Sequence, residues 1–165
     1  MLKTLNEYLA EGDYSAFARF LQTSQIHQIS GDDEYDFFVN APEHWAEALV
    51  SAVAPSRRAE KAIVKYQPQG VLDLLVSLWK PYPRTILWAF KEGSPEDALK
   101  VVNALRDKPS DEAEVALVKR GELELFKLWI EKFGELDEEA EKLLNDDPQL
   151  TALKSYYIDQ MSCFC

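Results

Sequence analysis

Glycines and prolines cut this chain into segments of helical spacing, and that punctuation limits its fold more than any other feature. In LKTLNEYLAEGDYSAFARFLQTS, Leu2, Leu5 and Leu9 precede Gly12, and Tyr14, Phe17 and Leu21 follow it. Apolar residues three or four apart are what one face of a helix requires. TILWAFKEGSPEDALKVVNALRD repeats the figure, with Ile86, Ala89 and Phe90 before Gly93 and Ala98, Val101, Val102 and Leu105 after it; Pro95 suits the first turn of the second helix. A third copy surrounds Gly121. Asp111 to Arg120 opens on Asp111, Glu112 and Glu114 and closes on Lys119 and Arg120, so both ends complement the macrodipole. Gly121 permits the chain to reverse, and Leu125, Phe126, Trp129, Ile130 and Phe133 form the next apolar stripe. Period-two alternation is absent, so the expected fold class is all-α, built of stacked antiparallel helix pairs.

The punctuation is regular. Gly93 and Gly121 are 28 residues apart and Gly12 and Gly93 are 81 apart, close to three times 27. Such an interval is what stacked helical hairpins produce. Between these copies, further helices are expected from Pro42 to Val53, Ser56 to Tyr66 and Gly70 to Trp79, with a loop at KPYPR, then at Glu138 to Asn145 and Leu150 to Gln160, with Asp147 capping near Pro148. In VLDLLVSLW only Asp73 and Ser77 break the apolar surface, which places that helix at the centre of the domain. The 165 residues read as one domain: acidic helices over 1–55, basic helices over 56–91, acidic helix pairs over 92–160 and a flexible tail over 161–165. Cys163 and Cys165, in that tail, read as reduced thiols without a function.

ALVKRGELELFKLWIEKFG, and more weakly YLAEGDYSAFARFL and WAFKEGSPEDALKVV, resemble the two-helix portion of ankyrin repeats over about half the chain. No TPLH occurs, the interval is nearer 27 than the ankyrin period of about 33, and the hairpin between units is missing. The resemblance therefore implies a small ankyrin-like α-solenoid without hairpin fingers, binding protein on a curved face and carrying no catalytic residue.

Nothing in the sequence announces chemistry. There is no HExxH, CxxC, GxGxxG, Walker loop or GxSxG elbow. His27 and His44 have no metal-spaced companion, and His27 reads as a polar loop residue. Asp73 reads as solvent-facing or paired with a base. The chain is expected to be no enzyme, to hold no metal or cofactor, to take no small-molecule substrate and to cross no membrane; the expected location is the cytoplasm.

Charge carries the functional reading. The total is −11, divided as −7 over residues 1–55, +5 over 56–91 and −9 over 92–165. An acidic surplus opposes nucleic acid and anionic lipid and favours a basic partner protein. Two acidic runs are the candidate partner-binding residues: Asp32, Asp33, Glu34 and Asp36, interleaved with Tyr35, Phe37 and Phe38, and then Glu135, Asp137, Glu138, Glu139 and Glu141. The leading expectation is a non-catalytic inhibitor of a basic protein, in its sharpest form an immunity protein neutralising a nuclease-type toxin. A helical-repeat adaptor is the first alternative. The second is a nucleic-acid binder using the stripe Arg57, Arg58, Lys61 and Lys65.

Overall fold

In the computed structural model, residues 2–163 are described, so Cys165 lies outside them. Among the described residues there are twelve α-helices and no strand: α1 (Leu5–Glu11), α2 (Tyr14–Leu21), α3 (Gly31–Asn40), α4 (Glu43–Ala52), α5 (Arg57–Tyr66), α6 (Gln69–Leu78), α7 (Pro83–Lys91), α8 (Pro95–Ala104), α9 (Asp111–Arg120), α10 (Leu123–Phe133), α11 (Glu138–Asp146) and α12 (Thr151–Ser162). The odd-numbered helices open at intervals of 26, 26, 26, 28 and 27 residues. The fold is all-α, with helices packed in neighbouring pairs.

The chain forms two compact units, Met1–Thr85 and Ile86–Cys165. In the first, α1 packs on α3 and α3 on α5, while α2 packs on α4 and α4 on α6, giving two rows. Its core is aromatic: Phe17 stacks on Phe37 at 5.4 Å and on Trp45 at 4.7 Å. In the second unit α9 packs on α11, and α8 and α12 both pack on α10. Fully buried Trp129 meets Phe90 edge-on at 5.7 Å.

Local chemistry sets the helix ends. The side chains of Thr4, Asp13, Ser30, Ser56, Ser94 and Ser110 each accept a backbone N–H of the first turn that follows them. Gly12 and Gly121 end their helices in the left-handed region at φ 69° and 73°. Gly93 serves differently from the hinge expected of it. It is not among the positive-φ glycines; instead a Cβ there would stand 2.6 Å from the Ala89 carbonyl oxygen, so close approach demands the glycine.

Three other expectations need correction. The KPYPR loop ends early, because Pro83 opens α7, as the fixed φ of proline allows in a first turn. The α6 helix is half exposed: Val71, Leu72 and Leu75 are buried, while Asp73, Ser77 and Leu78 face solvent. His27, read as a polar loop residue, is exposed in a short 3-10 turn, Ser24–Gln28, in keeping with that reading. Met161 and Ser162, assigned to the tail, continue α12.

Candidate functional site

Adjacent acids of the first run point to different surroundings, because successive residues of a helix are turned about 100° from one another. Asp32 and Asp36, four apart, are exposed on α3. Asp32 pairs with Arg58, which also lies 5.3 Å from the Tyr35 ring centre. Asp33 faces α1, where it accepts the backbone N–H groups of Leu5 at 2.7 Å and Asn6 at 3.3 Å. Glu34 is buried and accepts the Ser56 N–H at 3.2 Å. Burial lifts its carboxyl above the ordinary value and the bonds from Ser56 pull it partway back. The run expected to meet a partner is thus divided, with Asp33 and Glu34 committed to the fold and Asp32 and Asp36 left at the surface.

Glu34 belongs to a series that the spacing of apolar residues does not disclose. Glu34, Glu60 and Glu114 each stand four residues after a capping serine, in SGDDE, SRRAE and SDEAE, and each is buried. Each accepts a backbone N–H from the residue just before the next odd-numbered helix: Ser56, Tyr82 at 3.1 Å and Asp137 at 2.7 Å. Glu60 also accepts the Thr85 hydroxyl at 2.7 Å, and burial pushes its carboxyl up to about 7 against those two bonds. Glu114 accepts the indole N–H of Trp129 at 2.8 Å and pairs with Lys108 at 2.8 Å. Partial burial opposes the charge on Lys108, but Glu114 and Asp137 together hold the ammonium above its ordinary value. A serine four residues ahead of a glutamate is the signal that would have located the series.

The second acidic run clusters on and before α11. Glu135, Glu138 and Glu139 are exposed and make no ion pair among the described residues, whereas Asp137 is half-buried and lies 3.3 Å from Lys108. Glu135, Leu136, Glu138, Glu141, Lys142, Asn145 and Asp146 line a shallow depression of about 500 Å³. Four carboxylates face one ammonium there. Glu141 receives a long hydrogen bond, 3.4 Å, from the Tyr157 hydroxyl. The two runs lie in different units.

On α5, Arg57, Arg58 and Lys65 are exposed and Lys61 is half-buried, so the basic stripe is a real surface feature; Asp32 answers the charge of Arg58. Among the described residues no group of three His, Cys, Asp or Glu side chains is placed to hold a metal ion. No described helix is long and apolar enough to cross a membrane. No family model matches the sequence, and neither a curated protein nor a solved structure matches it.

Proposed function

We propose that this chain is a non-catalytic, acidic protein-binding module that occludes the positive surface of a basic partner, as an immunity protein would cover a nuclease-type toxin. The α11 depression carries the reading: Glu135, Glu138, Glu141 and Asp146 line one concave surface with Lys142 as the only base among the described residues there. Carboxylates left without counter-ions raise the encounter rate with a basic protein and select it over acidic ones. A series of helix pairs opening every 26–28 residues, two of them turning at left-handed Gly12 and Gly121, is the scaffold on which we place that surface, and it supports an ankyrin-like arrangement.

Affinity capture tests this with the full chain and a Glu138→Lys/Glu139→Lys variant. The expected result is a basic protein held by the first and released by the second, with an association rate that falls steeply as ionic strength rises through about 0.1 M. Equal retention of a neutral or acidic protein by both, or retention of nucleic acid, would sink the proposal.

A further inference from the structure

We propose that a second depression, lined by the end of α7 and one face of α9, binds the C-terminal residue of a polypeptide, its carboxylate against Arg120 and Lys119 and its apolar side chain against Phe90, Val115 and Ala116. This site shares no residue with the α11 depression.

Helical spacing assembles the lining. Glu112, Val115, Ala116, Lys119 and Arg120 fall on one stripe of α9, and with Phe90 and Lys91 of α7 they bound a space of about 490 Å³. Ligand pockets run from about 300 to 1,000 Å³. Phe90 and Ala116 are buried and Val115 is half-buried, so the floor is apolar. Three bases there face one acid, the reverse of the balance in a chain of net charge −11, and that acid, Glu112, lies 3.6 Å from Lys91. Lys119 is exposed and makes no ion pair among the described residues.

Arg120 is the unusual member, with a side chain only 11% exposed. Its Nη1 donates to the carbonyl oxygens of Phe90, Gly93 and Ala89 at 2.8, 3.0 and 3.4 Å, and its Nη2 to Glu122 at 2.9 Å. The Nε–H is buried and has no acceptor among the described residues. Compensation of helix dipoles explains why bases stand in the last turns of α7 and α9. It does not explain a buried N–H left open, since such groups are nearly always bonded. A carboxylate entering beside Lys119 supplies an acceptor, and its planar form matches the guanidinium.

The apolar floor selects among anions. Phosphate would leave it uncovered, whereas the last residue of a polypeptide carries a carboxylate and a side chain on one carbon. Glu112 provides the rim with an acceptor suited to a peptide N–H, which a simple carboxylic acid lacks.

Short N-acetylated peptides test this with the full-length protein. One ends in leucine as the free acid, one is its amide and one ends in serine as the free acid; isocaproate represents a simple acid with the same apolar group. Titration followed by amide and arginine Nε–H chemical shifts is expected to show binding of the leucine acid, with shifts centred on Val115, Lys119 and the Arg120 Nε–H. The amide should bind at least about tenfold more weakly. Lys119→Glu, a change at an exposed position, should weaken the leucine acid about tenfold without altering near-ultraviolet dichroism. Equal binding of acid and amide, binding unchanged in Lys119→Glu, or binding of none overturns the carboxylate site. Equal binding of the serine acid overturns the role given to Phe90, Val115 and Ala116, and with it the ligand assigned. Isocaproate held as tightly as the leucine acid assigns the site to simple carboxylic acids and overturns the polypeptide terminus. Each of these results leaves the acidic-binder reading standing, because capture with the Glu138→Lys/Glu139→Lys variant judges that reading separately.

Discussion

The Glu114 carboxylate accepts the backbone N–H of Asp137 at 2.7 Å with one oxygen, and with the other takes both the Trp129 indole N–H and the Lys108 ammonium at 2.8 Å. A fully buried acid is thereby given partners for its charge and its lone pairs. Replacement by alanine leaves Lys108 partly buried without its closest counter-ion and two N–H groups unanswered. Glu114→Ala should cost about 3 to 5 kcal/mol in chemical denaturation. Glu114→Ala combined with Lys108→Met should cost clearly less than the two single changes added, because each single change strands the other's charge.

Glu60 predicts a pH dependence of definite sign. Its carboxyl stands at about 7 in the fold against an ordinary 4.5, so the folded chain holds that proton more tightly than the unfolded chain. The stability this group confers is complete below pH 4.5 and declines as pH rises from 4.5 through about 7. The decline is on the order of 3 kcal/mol at most. Subtracting the pH profile of Glu60→Gln from that of the unaltered protein should isolate the slope; parallel profiles across this window would refute it.

Neighbouring acids of α3 should behave unlike one another. Asp33→Ala removes the acceptor for two N–H groups at the start of α1 and is expected to cost about 1 to 2 kcal/mol in the first unit. Asp32→Ala breaks an exposed pair with Arg58 and should cost less than about 0.5 kcal/mol. Thermal melts of the two single variants check the order.

Among the glycines, close packing should outweigh backbone conformation. Gly12→Ala places a Cβ in open space at φ 69°, at a cost of about 1 kcal/mol. Gly93→Ala drives a Cβ toward the Ala89 oxygen, a carbonyl that accepts from Arg120 at 3.4 Å, so about 2 to 3 kcal/mol is expected. Equal melting temperatures for the two variants would contradict this ranking.

The helices themselves were legible in the sequence because their signals are local. Ser56, Ser110 and Gly121 mark ends by bonds made within a turn, and Leu125, Phe126, Trp129 and Ile130 repeat at the helical period and are all buried. The α3 acids were harder to sort. A run of like charges reads as one patch, yet Asp33 and Glu34 turn inward to donors 28 and 22 residues away that no local pattern reveals. Gly93 illustrates the same limit, for its need arises from a carbonyl pressed against it and not from its own dihedral angle. Of the second acidic run, exposure at Glu138 and Glu139 followed from the composition of α11, while the depression beside them depended on how that helix packs.

The glutamate ties join groups only 22 or 23 residues apart in the chain. Loops of that length close within microseconds, far faster than a ribosome adds residues. Each carboxylate therefore meets its donor soon after that donor emerges, and the early helices can settle while the later ones are still being made. Synthesis from the amino end and assembly of the fold run in the same direction, a sequence of short closures in which no segment waits long for a distant mate.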